Sequence, residues 1–258
     1  MDFLFTLLSK PVMSESALER IKNFAYPFIK SDLCIRLDEE VKLNFINKKG
    51  VEIGGPSNFF KRNYPIYQLI SQLDIVNFSE ETLWQNKKKV FYFGRKSADI
   101  IIQDAINLKE INAQEYEFLL SSNCLEHIAN PLKALKEWIR IVKKDCPIVL
   151  VLPKKENNFD HRRDVTSFDH ILEDFKNDTT EEDLTALEEI LSLHDFSRDP
   201  GSGGPENFKQ RALRNFSNRA IHHHVYDLEL LNKIIEFLGK EVIYQNENRI
   251  DYLVIFKN

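Results

Sequence analysis

Imidazole is the side chain that changes charge nearest neutral pH, so it is the usual general base and a frequent metal ligand. Three groups of histidines stand out: His127 directly after Leu125-Glu126, His161 and His170 within one polar segment, and the run His222-His223-His224. His161 lies between Asp160 and Arg162-Arg163, so it can serve as a base with an orienting carboxylate or as a metal ligand. On an extended chain, consecutive residues alternate sides, which places His222 and His224 on one face and His223 on the other. His127, His161 and His223 are the candidate bases. Joined by Glu126 or Asp160, His127, His161, His222 and His223 can also make a divalent-metal site, although no compact ligand spacing marks one. The same groups serve equally as a structural hydrogen-bonding cluster. Arg162 and Arg163, with His170, His222 and His224, are candidates for holding an acceptor, the arginines through an anionic group; a solvated basic turn is the other reading of that pair.

These side chains need a scaffold, and the sequence supplies an alternating one. Val51-Glu-Ile-Gly-Gly-Pro-Ser57 reads as a strand ending in a glycine turn, followed by weaker strand signals near residues 72–78 and 99–103. A further strand at 117–120 enters Ser121-Ser122-Asn123, and Asn130-Pro131 is a strong helix start, since Asn caps and Pro suits the first turn. Leu132, Leu135, Trp138, Ile139 and Val142 make one apolar stripe. Residues 148–152 form an unbroken apolar run suited to a strand buried on both faces. From residue 154 to 221 the periodicity breaks into a polar, partly helical insertion. Asp227 then caps a helix bearing Leu230, Leu231, Ile234, Ile235 and Leu238, Gly239 ends it, and strands at 241–245 and 251–256 close the chain as a hairpin. Alternating strands and helices predict an α/β fold with a mostly parallel sheet, helices on both faces and this antiparallel hairpin at the end. Residues 1–44, with Leu18, Ile21, Phe24 and Phe28 at helical spacing, are expected to form an N-terminal helical cap on a single domain spanning 1–258.

Ligands of open α/β sheets bind beyond the carboxyl ends of the strands. Gly54 and Gly55 allow close backbone approach there, Asp74 is placed to accept ribose hydroxyls, and Asp104 with Ala105 to meet an adenine edge. The turn is not GxGxxG, which disfavours a pyrophosphate cradle and hence a nucleotide-dependent oxidoreductase, as does the closing hairpin.

The composition narrows the classes. With 43% hydrophobic residues the chain can bury a sizeable core, which argues against wholesale disorder. The net charge of −5 argues against nucleic acid as the main partner. Three widely spaced cysteines are not a disulfide framework and suit the reducing cytoplasm. The N-terminal apolar run is too short for a membrane span and lacks the basic start of a signal peptide. Either a monomer or a homodimer is compatible with these features.

The segment Tyr116-Glu-Phe-Leu-Leu-Ser-Ser-Asn-Cys-Leu-Glu-His-Ile-Ala-Asn-Pro131 resembles the class I S-adenosylmethionine-dependent methyltransferases, particularly the methyltransferase-11-like group. That group has an apolar strand, a polar turn, Leu-Glu-His-Ile, and a proline-started helix with Trp or Arg near its end, here Trp138 and Arg140. The chain departs at Asp145-Cys146, where Gly-Gly is usual. The resemblance spans roughly residues 45–153 and 222–258. It implies a Rossmann-like seven-stranded sheet and S-adenosylmethionine as methyl donor, leaving S-adenosylhomocysteine. By the same resemblance Glu52, Gly54, Gly55, Pro56 and Ser57 contact the methionine and ribose portions, Asp74 the ribose hydroxyls, Asp104 and Ala105 the adenine, and Ser122 and Asn123 the methionine side. Asn158-Phe-Asp-His-Arg-Arg-Asp-Val-Thr-Ser-Phe-Asp-His170 and the histidine-rich return at 218–227 resemble a branch found in bacterial capsule and surface-polysaccharide clusters. The acceptors implied are small glycan precursors: sugars, nucleotide-linked sugars or, as runner-up, a phosphate or phosphoramidate group. A non-catalytic binding module on the same fold is the third reading.

Overall fold

The structure, a computed structural model, describes residues 34–35, 38–82, 90–93 and 96–258. Its centre is one sheet of eight strands: β1 (Lys49–Ile53), β2 (Gln72–Asn77), β3 (Val90–Phe93), β4 (Lys96–Ile102), β5 (Leu119–Ser122), β6 (Pro147–Pro153), β7 (Glu241–Glu247) and β8 (Asp251–Lys257). They run in the order β3-β4-β2-β1-β5-β6-β8-β7. The neighbours β4, β2, β1, β5 and β6 are parallel, whereas β8 is antiparallel to both β6 and β7. Seven of these strands are the expected mostly parallel sheet with its closing hairpin. The eighth, β3, is an addition: an edge strand antiparallel to β4, with Phe93 opposite Lys96 and only Gly94-Arg95 between them in sequence.

The apolar run in β6 serves two cores at once because side chains alternate across a strand. Ile148, Leu150 and Leu152 pack on one face against Leu132, Leu135 and Trp138 of α2 (Pro131–Ile141) and Leu230, Leu231 and Ile234 of α7 (Leu228–Phe237). Val149 and Val151 face the other side, among Phe45, Phe60, Tyr64, Ile66 and Ile70. Among the described residues that second face carries α1 (Glu39–Lys42), the π turn Phe59–Asn63 and the 3-10 turn Ile66–Gln68, with large aromatic side chains packed beside them.

The helix signals act as the chemistry requires. Asn130 Oδ1 accepts from Lys133 N at 3.1 Å with Pro131 in the first turn of α2, and Asp227 accepts from Leu230 N at 2.7 Å at the start of α7. Asp145, standing where glycine is usual in the resembling group, has φ +60. Between β6 and α7 the chain leaves the sheet and folds into α3 (Phe168–Lys176), α4 (Leu187–Leu193), α5 (Pro205–Ala212) and α6 (Asn215–Asn218), with a small core of Ile190, Phe208, Ala212 and Ile221. The N-terminal stripe Leu18, Ile21, Phe24 and Phe28 lies outside the described residues.

Candidate active site

Strand order reverses between β1 and β5, and a crevice opens past the carboxyl ends of the strands at that switch point. The cleft is walled by strand ends and closed by the insertion. Each neighbouring strand delivers the residues that follow it: Gly54 from β1, Asn77 and Phe78 from β2, Gln103, Asp104 and Ala105 from β4, Asn123 and Cys124 from β5. His127 and Ile128 extend the wall, and Glu181 and Arg219 of the insertion close it.

The glycine turn is shaped by what surrounds it. Gly54 has φ +76, and a Cβ there would lie 2.7 Å from Cys124 Sγ, so no side chain fits between the turn and β5. Beneath the turn, Glu52 Oε1 accepts from Ser57 N at 3.1 Å and its other oxygen accepts from the Tyr67 hydroxyl. Asn77 donates to Gly55 O at 2.9 Å from the neighbouring strand. Burial pushes the Glu52 carboxyl up to about 7 against the opposing pull of the Tyr67 and Ser57 hydrogen bonds.

The far end of the cleft is equally fixed. Asp104 accepts from Ile106 N at 3.1 Å and from Arg219 at 2.6 Å, while Trp138 Nε1 holds Ala105 O at 3.0 Å. Carboxylate and amide groups at this end, apolar Val76, Phe78 and Ile128 along the walls, and a glycine where a Cβ would intrude fit a nucleoside joined to a thin aliphatic chain.

Of the residues expected at a cofactor, Gly54, Asp104, Ala105 and Asn123 line the cleft. Glu52, Gly55, Pro56 and Ser57 are not among its lining residues; Glu52 is fully buried and braces the turn, and Ser122 is buried in β5. Asp74 is corrected. It lies opposite Val51 in mid-sheet, three residues before β2 ends at Asn77, and its carboxylate accepts from the Tyr116 hydroxyl at 3.0 Å and pairs with Lys49 at 3.4 Å. Asn77, not Asp74, stands at the strand end beside the turn.

The histidines separate by location. His127, in the turn Leu125–His127 after β5, lines the cleft and holds its Nδ1 3.0 Å from Ile221 O, an arrangement that puts the proton on Nδ1. Burial, then the neighbouring His222, brings its pKa down to about 3, so it is neutral at pH 7. His222 and His224 both line a second, small chamber, while His223 turns the other way to lie 3.0 Å from Glu181 and 2.9 Å from the Asn215 amide. The alternation expected of the run is therefore present.

His161 is corrected as a candidate base: it pairs with Asp195 at 2.8 Å and lines neither cavity. His223, lodged between Glu181 and Asn215, lines neither cavity as well. Arg163 is corrected as an anion site. Its guanidinium is buried and satisfied by Asp160, Glu189 and the carbonyls of His222 and His223. Arg162 is half exposed, 3.5 Å from Asp195, and His170 is an exposed residue of α3 beside Asp174. The four proposed metal ligands are not brought together; only His127 and His222 meet, ring to ring at 4.5 Å.

Sequence reasoning missed Asn77, Phe78, Cys124 and Ile128, all placed by the rule that ligand contacts follow strand ends. Glu181 and Arg219 carried no signal, because only the folded insertion returns them to the cleft. Arg219 takes a left-handed backbone, φ +53, and bridges Asp104 at 2.6 Å and Glu181 at 2.9 Å.

Residues 52–150 match the protein family described as Methyltransferase domain. The crystal structure of a SAM dependent methyltransferase from Aquifex aeolicus is similar at TM-score 0.50 and 13% identity, over 95% of this chain and 98% of that one. A chain in the complex between the Haloferax volcanii Trm112 methyltransferase activator and a methyltransferase is similar at TM-score 0.51 and 12% identity, over 93% and 92%. No protein of curated function matches by sequence. The matched residues 52–150 carry the strand ends that line the cleft, and the similar structures share the Rossmann-like sheet order.

Proposed function

We propose that this chain methylates an oxygen of a sugar or nucleotide-linked sugar during bacterial surface-polysaccharide synthesis in the cytoplasm. The observation that carries the reading is the composition of the acceptor side. The segments 158–170 and 218–227, which resemble the capsule-cluster branch, contribute Asn158, Asp160, His222 and His224 to a small chamber that adjoins the cleft where His222 meets His127. That lining offers hydrogen-bonding groups suited to a polyhydroxylated acceptor. Among the described residues, no helix is long and apolar enough to cross a membrane.

S-adenosylmethionine supplies an electron-poor methyl group on sulfur. Gly54, Asn123 and Cys124 would hold its aliphatic portion, Asn77 and Phe78 the ribose, and Asp104 with Ala105 the base. The chain's own contribution is alignment and exclusion of water, worth about 7–11 kcal/mol in favourable cases. His127 adds a neutral imidazole on the acceptor side. The phosphate reading loses support from Arg163, whose donors are spent on internal acceptors, and Arg219 is already shared by two carboxylates.

The test is incubation of the purified chain with S-adenosylmethionine and a panel of nucleotide sugars, with product masses and S-adenosylhomocysteine measured together. A sugar gaining the mass of one CH2 is expected. Turnover confined to phosphorylated acceptors lacking a free sugar hydroxyl would contradict the reading.

A further inference from the structure

We infer that Glu126, His127 and His222 form a site for one divalent first-row transition-metal ion, set between the methyl-donor cleft and the acceptor chamber. The ligand atoms these three residues offer all lie within 4.8 Å of one another. Glu126 is 1% exposed, and neither of its carboxylate oxygens has a hydrogen-bond partner. An ionisable group so placed, with nothing to satisfy it, calls for a ligand. The Tyr226 hydroxyl, buried and likewise without a partner, lines the same chamber as Glu126 and His222.

The surroundings prepare the imidazoles for a metal. Ligating histidines hold their second nitrogen against a carboxylate or a backbone carbonyl, which fixes tautomer and orientation. His222 Nδ1 lies 2.5 Å from Asp160 Oδ2, and His127 Nδ1 lies 3.0 Å from Ile221 O. Asp160 is itself fixed by Arg163 at 3.2 Å, which gives that buried arginine a purpose. Two ligands come from one turn after β5, and the third is docked to it by His223 N donating to Glu126 O at 2.8 Å.

Two imidazoles and one carboxylate suit manganese, iron, cobalt or zinc better than magnesium or calcium, and three protein ligands leave positions open for an acceptor. The binding of the ion stands on this geometry alone; its role rests on the methyl-transfer reading. An acceptor hydroxyl held there ionises more readily and releases its proton to solvent. The oxygen then forms the bond to the methyl carbon while the carbon–sulfur bond breaks. Its electron pair stays on sulfur, and the sulfonium becomes a neutral thioether.

The experiment is titration of the chelator-stripped full chain with Mn²⁺, without donor or acceptor, following loss of the free-ion electron paramagnetic resonance signal. One bound equivalent is expected for the wild type. Glu126→Gln and His127→Gln should lose it, and Asp160→Asn should weaken it by about 10–100-fold. His170→Gln should retain one equivalent, separating this site from the neighbouring group His170, Asp174 and His224. S-adenosylmethionine binding, measured by calorimetry on the same samples, shows that Glu126→Gln remains folded. Wild type that takes up no more Mn²⁺, Co²⁺ or Zn²⁺ than Glu126→Gln overturns the site, as does loss in His170→Gln with retention in Glu126→Gln. Metal bound without any donor binding would leave the site standing and remove the methyl-transfer reading.

Discussion

Gly54 and Glu52 form a single device: a strained turn above, a buried carboxyl bracing it from below. Gly54→Ala would force a Cβ to 2.7 Å from Cys124 Sγ in a left-handed backbone, a combination that costs on the order of 1–3 kcal/mol. We expect the variant to bind S-adenosylmethionine at least tenfold more weakly with a lowered unfolding midpoint; unchanged affinity by calorimetry would contradict the placement of the donor against this turn. Glu52 makes a prediction in pH. Its carboxyl titrates near 7 when folded against 4.5 in its ordinary state. Between those values the folded chain keeps a proton that the unfolded chain has released. Stability therefore falls as pH rises through that window, by up to about 1.4 kcal/mol per pH unit from this residue. His223 works oppositely. Burial lowers it to about 4, so the unfolded chain takes up a proton first and stability falls as pH drops below 6.5. Glu52→Gln should gain on wild type in urea midpoint between pH 5 and pH 7.5, and a difference independent of pH would refute the burial account.

Elements reach the site through two long excursions, one legible in the sequence and one not. β1, β5, β6, α2 and α7 could be read because apolar alternation, Asn130-Pro131 and Asp227 act locally. Asp74 was misread because β2 carries few strong signals and continues through Ile75, Val76 and Asn77 before it ends. β3 escaped notice because it is short and lies on the sheet edge. The insertion's composition marked it as separate, yet nothing local tells that Arg219 returns to Asp104. This bridge is the latch of the insertion, with the guanidinium also 5.2 Å from the Phe78 ring. Arg219→Ala leaves Glu181 buried without its cation, a loss that costs several kcal/mol in buried pairs. Faster proteolysis within 154–221 and at least tenfold weaker donor binding are expected; intact protease resistance would show that the insertion is held by its own small core.

At the scale of the whole molecule, one sheet presents four strand ends to the proposed donor cleft, and the insertion after β6 closes that cleft with Glu181 and Arg219 and adds the proposed acceptor chamber. This division explains how much function the sequence discloses. The proposed donor half follows the strand ends at the switch point, so Gly54, Asp104, Ala105 and Asn123, named from their order along the chain, line one cleft. The acceptor half is held by contacts between distant segments, such as Asp160 with His222 and Glu181 with Arg219, which no spacing encodes. The cleft at the switch point is proposed to hold S-adenosylmethionine. Calorimetric titration of wild type and Asp104→Ala tests it most directly. The wild type should bind with a dissociation constant on the order of micromolar, about −8 kcal/mol, and the variant at least tenfold more weakly. Absence of binding by the wild type at millimolar donor, or equal affinity in Asp104→Ala, would contradict the assignment of this cleft.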